Sequence, residues 1–179
     1  MTMRLSFDGR ARVFGDDINT DYIIASTRKR DTLDENALTR YLLEAVDPAF
    51  AESVRSGDVI VAGSNFGCGS AMEIAATVIL AAGIKAVIAK SFSRTFYRNA
   101  VNNGLLPIEC DTGSILEGDR LHVSLDGDRA GVRLVDRNET LGAEPLAPLM
   151  AEVLSAGGLV PYVRNGGYRA DRGPDVQQR

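Results

Sequence analysis

A chain of 179 residues, 45% hydrophobic and 25% charged, carries enough apolar material for one core that needs neither disulfides nor a structural metal. Its formal net charge of -4, with no lysine–arginine block, sets aside a nucleic-acid surface, which needs a basic stripe. Two widely spaced cysteines, Cys68 and Cys110, and one histidine, His122, leave no set for a zinc site or for a cluster, which takes about four thiolates.

The first fifteen residues hold no apolar h-region, and no stretch approaches the ~18 apolar residues of a membrane span, so the expected compartment is cytoplasmic. In chain order, Arg10 to Phe14 alternates polar and apolar residues and reads as a short strand entering the Gly15-Asp16-Asp17 turn. Asp17 to Asp21 is a polar cluster running into Tyr22-Ile23-Ile24, which reads as turn chemistry ahead of a strand. Asp34 to Leu43 has apolar residues at helical spacing, and Asp47-Pro48 opens a second short helix through Val54.

The middle of the chain is more regular. Val59 to Gly63 is a buried strand, Ser64 to Gly69 a glycine-rich loop, and Ser70 to Ala82 a helix ended by Gly83. Ile84 to Ala89 is a second buried strand, Ser91 to Asn102 a helix followed by Gly104, and Leu105 to Glu109 a further strand. Strand, helix, strand, helix of this length predicts βαβ crossovers and parallel pairing. From Asp119 the pattern changes: Arg120 to Leu125 and Gly131 to Val135, joined by Asp126-Gly127-Asp128, form a hairpin signature. Pro145 to Gly157 predicts a closing helix, and Asn165 onward a solvated tail, giving one domain over 1–165 and a flexible tail over 166–179.

The glycine-rich loop is the first candidate site. Unpaired N–H groups at a helix start favour an anion, so Gly67-Cys68-Gly69-Ser70 suits a carboxylate or a phosphate. Walker A and dinucleotide readings fail, since no Gly-Lys-Ser/Thr follows and the G-x-G-x-x-G spacing is absent. Ser70-Ala71-Met72-Glu73 also matches a capping box, in which Ser70 caps the helix and Glu73 reaches back. Cys68, with no histidine nearby in sequence, reads as a packing cysteine. The run Arg28-Lys29-Arg30 reads either as a solvated face or as a clamp for a second carboxylate. His122 reads as structural. Arg94 and Arg98 share a helix face suited to ion pairs.

Three stretches carry a resemblance: Phe14 to Ile24, Gly57 to Ser70, and Ala89 to Asn99. In this order and spacing they resemble the 3-isopropylmalate dehydratase small-subunit family, the swivel-domain chains of the aconitase superfamily. The resemblance spans about residues 8 to 165 and implies an α/β fold, a three-layer β/β/α swivelling domain. It implies a large-subunit partner bearing a [4Fe-4S] cluster, in a heterodimer or heterotetramer, with no metal held by this chain. In that family an iron acts as Lewis acid for the substrate hydroxyl and carboxylate, while a swivel-domain serine removes a proton beside a carboxylate.

Carried over residue by residue, Ser70 falls on that base and Asp21 on a supporting aspartate. The loop Thr27 to Asp31 falls where the family reads the variable part of its substrate. The substrate-binding set is then Arg28, Lys29, Arg30, Gly67, Cys68, Gly69, Ala71 and Met72. One departure bears on specificity. The family's Ser-Arg-Glu-His after the serine is Ala71-Met72-Glu73-Ile74 here, so Met72 replaces an arginine that binds a substrate carboxylate. Losing a charge-assisted bidentate contact disfavours a dianion unless a loop cation takes over. The expected function is that of a hydro-lyase small subunit for isopropylmalate. The alternatives are another malate-like acid of the homoaconitate, citramalate or dimethylmalate type, and a non-catalytic anion-binding regulatory paralogue.

Overall fold

The computed structural model describes residues 4–30, 32 and 34–167. Asp31 of the cationic loop and positions 168–179 of the expected tail lie outside the described residues. Strand β1 (Arg4–Val13) starts well before Arg10, because Leu5 and Phe7 already alternate with Ser6 and Asp8. Its two halves do different work. Residues 4–10 pair antiparallel with β5 (Arg120–Asp126), and residues 11–13 pair parallel with β2 (Val59–Ala62). Parallel pairing continues to β3 (Ala86–Ala89) and β4 (Leu106–Glu109), and antiparallel pairing to β6 (Arg129–Leu134) and β7 (Glu139–Leu141). The strand order is β4-β3-β2-β1-β5-β6-β7.

The period of two along the parallel strands sorts their side chains into two cores. Val59, Val61, Ala86 and Ile88 pack with Leu121, Val123, Leu125, Val132 and Leu134 of the antiparallel half. Ile60, Ala62, Val87 and Ala89 pack instead with the buried residues of helix α4 (Ile74–Ala81) and with Phe96 and Ala100 of helix α5 (Arg94–Asn103). The parallel strands are therefore the middle layer, and the β/β/α expectation holds. Strands buried on both faces need continuous apolar runs, as VIVA and AVIA are.

The remaining helices differ from the sequence reading in instructive ways. The segment before Ile24 is a helical turn, α1 (Thr20–Ile23), because the Asn19 side chain accepts from Asp21 N and caps it. Asp34 to Leu43 breaks into α2 (Glu35–Leu38) and a 3-10 turn over Thr39–Tyr41, ending where Leu43 adopts a φ of 58° and donates its N–H to Ile23 O. The second short helix is α3 (Phe50–Ser53). Helix α4 begins at Ile74, four residues after Ser70, and the residue at its cap, Glu73, makes no side-chain capping bond. The capping box is thus not formed. The Ser70 carbonyl accepts from Thr20 Oγ1 at 3.0 Å, and Glu73 accepts from Asn103 of α5 at 3.3 Å, so tertiary partners displace the local one. The closing helix is α6 (Pro148–Ser155), followed by an unexpected α7 (Leu159–Arg164). Pro161 lies in the first turn of α7, where no intrahelical N–H is needed.

Candidate active site

The loops following β1, β2 and β3 leave at the C-terminal ends of the parallel strands, where α/β sheets place their ligands. They are stitched into one stack. Gly67 N donates to Ile18 O at 2.8 Å, and Thr20 N to Cys68 O at 2.8 Å. On the other side Phe66 N donates to Ser91 O at 3.0 Å, and Ser93 Oγ to Gly67 O at 2.7 Å. Two glycines permit this approach. A Cβ on Gly67 (φ +76°) would lie 2.2 Å from Phe96 Cγ, and one on Gly69 (φ +95°) 2.4 Å from Asn19 Oδ1.

Beyond Gly67 the loop is open. The N–H groups of Gly69, Ser70 and Ala71 donate to no described residue, and the exposed Ser70 hydroxyl has no hydrogen-bond partner among them. The open amides thus come from the loop itself rather than from the first turn of α4, which starts later. Asp21 sits one residue from Thr20, exposed, with Oδ1 accepting from Ser26 N at 3.1 Å. The buried Thr20 side chain ties the Asp21 turn to the Ser70 loop through the bond to the Ser70 carbonyl. These contacts bring the two predicted catalytic positions onto one pair of joined loops.

The three cations on the 3-10 turn Ser26–Arg30 are not equivalent. Arg28 donates to both Glu44 oxygens, at 2.8 and 3.0 Å, and lies 4.0 Å over the Tyr41 ring. Arg30 is exposed. Lys29 is half-buried, its Nζ 3.3 Å from Met72 Sδ. Met72 itself is 7% exposed and belongs to the helix-side core.

Several polar groups lie apart from this stack. His122 pairs with Asp8 at 2.6 Å across β1 and β5, in keeping with a structural histidine. Arg94 and Arg98 make no ion pair among the described residues, and with Phe92, Tyr97, Glu109 and Met150 they line a cleft of about 440 Å³. Cys68 is half-buried in the loop, whereas Cys110 is buried in the other core, where burial and then Asp111 push its thiol up to about 11. Among the described residues no group of three or more His, Cys, Asp or Glu side chains could hold a metal ion, so the donors among them do not fit a cluster. No helix among them is long and apolar enough to cross a membrane.

Sequence reasoning missed Asn19, Thr20 and Ser93. The signal for Asn19 was an Asn-Thr-Asp run, which reads equally as turn or cap. Ser93 stands two residues inside the predicted helix start and is the true cap of α5, accepting from Phe96 N at 3.3 Å.

Residues 18–113 match the family model described as the aconitase C-terminal domain, and the chain belongs to that family. Its relatives are named as small subunits of enzymes. The chain is 47% identical over 156 residues to the methanogen homoaconitase small subunit of Methanocaldococcus jannaschii, covering 87% of this chain and 90% of the relative. It is 47% identical over 174 residues to 3-isopropylmalate dehydratase small subunit 1 of Methanopyrus kandleri, covering 96% and 100%. The crystal structure of 3-isopropylmalate dehydratase (leuD) of Methanocaldococcus jannaschii superposes with a TM-score of 0.84 at 45% identity, over 91% of this chain and 96% of that one.

Proposed function

We propose that this chain is the small subunit of a heteromeric hydro-lyase that interconverts 2-isopropylmalate and 3-isopropylmalate by dehydration and rehydration, in leucine biosynthesis. The observation that carries this reading is Ser70: an exposed hydroxyl without a partner among the described residues, beside open loop amides, on a loop clamped from both sides. Residues 1–165 act as one swivelling domain over a cytoplasmic large-subunit partner, in a heterodimer or heterotetramer. The [4Fe-4S] cluster falls to that partner, where it supplies Lewis-acid chemistry toward the substrate hydroxyl and carboxylate.

The part of the reaction borne by this chain is proton transfer and binding. Ser70, as alkoxide, takes the proton from the carbon beside a carboxylate while the hydroxyl leaves the neighbouring carbon, and it returns the proton on rehydration. The open N–H groups of Gly69 to Ala71 stabilise the oxyanion that Ser70 must carry, because donors aimed at developing charge need no reorganisation. Asp21 orients the acid–base groups of the partner, and Gly67 and Cys68 hold the loop shape against the 18–20 turn.

A second reading, a homoaconitase-type subunit, is favoured by one observation: Met72 and the adjacent ammonium of Lys29 stand where an isopropylmalate enzyme is expected to present an arginine. The test is an anaerobic assay of the assembled two-subunit enzyme, following alkene absorbance with isopropylmalate, citramalate, homocitrate and dimethylmalate. Ser70→Ala should cut turnover by about 10²- to 10⁴-fold while the subunits still co-elute. Near-normal turnover by that variant would remove Ser70 from the mechanism. Silence of the unaltered complex with every acid, despite a loaded cluster, would favour the regulatory paralogue.

A further inference from the structure

Four carbonyls of the 66–70 loop are held by two residues, each using both its backbone N–H and its hydroxyl. Ser93 N donates to Phe66 O at 2.9 Å and Ser93 Oγ to Gly67 O at 2.7 Å. Thr20 N donates to Cys68 O at 2.8 Å and Thr20 Oγ1 to Ser70 O at 3.0 Å. Thr20 is 2% exposed, whereas Gly69, Ser70 and Ala71 are exposed. The hydroxyl proton goes to the Ser70 carbonyl, because the other acceptor in reach, Asn19 Oδ1, is 3.5 Å away and already takes Asp21 N at 2.9 Å. The described peptides are all trans, and in a trans peptide the N–H points opposite to the C=O of the same plane. The Cys68 and Ser70 carbonyls face Thr20, so the N–H groups of Gly69 and Ala71 both turn away from it, where neither has an acceptor among the described residues. A donor on a carbonyl also polarises its peptide and strengthens the N–H at the other end.

We propose that Thr20 is a positioning residue of the reaction: its buried hydroxyl, through the Ser70 carbonyl, aims the Ala71 N–H at the negative charge carried at Ser70, and its backbone N–H does the same for Gly69 through Cys68. The proposal rests on the hydro-lyase reading and deepens it by naming the group that sets the electrostatics around the base. Donors held in place beforehand cost no reorganisation when charge develops. Thr20 itself touches neither the substrate nor the reacting atoms. The bond pattern also divides the labour. Removing the hydroxyl releases the Ser70–Ala71 plane alone, since the Thr20 backbone N–H still holds the Cys68–Gly69 plane. Serine at position 20 keeps the donor, whereas valine keeps the shape and removes it.

The experiment compares the assembled two-subunit enzyme with its Thr20→Val and Thr20→Ser variants, urea midpoints and co-elution showing that each folds and assembles. Thr20→Val should lower kcat about 10- to 100-fold and leave KM within about threefold, since the loss falls on charge stabilised in the transition state. The limb of kcat that rises with pH should move up by about one pH unit per tenfold loss, because a less stabilised alkoxide needs a higher pH to form. Thr20→Ser, which keeps the donor, should stay within about threefold of the parent and keep its pH profile. A merely structural defect would lower kcat equally at every pH. That result, parental kcat in Thr20→Val, or an equal loss in Thr20→Ser overturns the proposal. Should Thr20→Val not fold, Thr20→Cys, a weaker donor, takes its place with the same direction of change. If the parent turns over none of the acids above, the hydro-lyase reading fails, and a sulfate titration of the chain followed by amide NMR decides the role of Thr20 alone. Sulfate shifting the Gly69 and Ala71 amides in the parent and in Thr20→Ser, but Gly69 alone in Thr20→Val, upholds it. An Ala71 response absent from the parent, or equal in Thr20→Val, overturns it.

Discussion

Cys68 and Cys110 occupy opposite environments although both stand free. Cys110 closes the end of β4 in the core between the sheets, and at pH 8 a thiol at about 11 is ionised in about one molecule in a thousand. Cys68 is half-buried on the loop that carries Ser70. Iodoacetamide at pH 8 should therefore label Cys68 and spare Cys110 in the folded chain, with both labelled in urea, as read by peptide mass spectrometry. Cys110 labelling at the Cys68 rate would contradict the burial described for it. The same scale shows what side-chain position adds to residue type: Arg28, Lys29 and Arg30 are indistinguishable as a run of cations, yet one is paired, one rests on sulfur and one is exposed.

Elements are decided by competition between local preference and tertiary partners. Ser70-Ala71-Met72-Glu73 has the spacing of a capping box worth about 1 kcal/mol, but Thr20 and Asn103 take Ser70 and Glu73 instead. The helix consequently starts at Ile74 and leaves Ser70 on the loop, its hydroxyl without a partner among the described residues. Gly69 is the hinge of this arrangement. Alanine there would meet the Asn19 amide, the cap of α1, and would hold a strained φ of +95°. Gly69→Ala should destabilise the fold by about 2 kcal/mol, combining left-handed strain with loss of the cap, and should lower kcat because Asn19 sets the Asp21 turn. Urea midpoints and kcat on the assembled enzyme check both; an unchanged pair would mean that the Asn19 contact does not position the loop.

The whole molecule depends on a polar junction between its layers. Asp58, just before β2, accepts from Arg10 at 2.7 Å and sits 3.5 Å from Arg12, both on β1; Arg12 also donates to Glu117 at 2.9 Å and to Ser53 of α3 at 2.9 Å. The Asp58 and Arg12 side chains are only 5% and 8% exposed, and Arg12 lies over the Phe50 ring. Burial alone would raise the Asp58 carboxyl, but hydrogen bonds from Arg10 and from the Arg55 backbone, with the charges of Arg10 and Arg12, hold it below its usual value. The unfolded chain therefore takes up this proton at a higher pH than the folded one. The contribution is complete above about pH 4 and is lost as the pH falls through the lowered folded value. Asp58→Asn should cost about 3 kcal/mol at pH 7, since it removes the buried carboxylate on which Arg10 and Arg12 converge and leaves Glu117 as the nearest charge on Arg12, and the gap to the parent should narrow at pH 3. Urea unfolding at the two pH values measures this; an equal gap at both would show that the charge on Asp58 is not what holds the junction.

By itself, the sequence of this protein determined its buried strands, its α/β class, its glycine-rich loop and the end of α5 at Gly104. Those features follow from apolar periodicity and from backbone conformations open mainly to glycine, both of which are written locally. The beginning of α4 and the different fates of three neighbouring cations were decided only by the tertiary structure. Each depends on a partner far away in the chain, and a cap or turn preference of about 1 kcal/mol yields to a well-placed tertiary hydrogen bond of the same size when burial adds to it. The contact between Lys29 and Met72, 43 positions apart, belongs to that second kind, because no local pattern reports which side chain two folded loops will bring together.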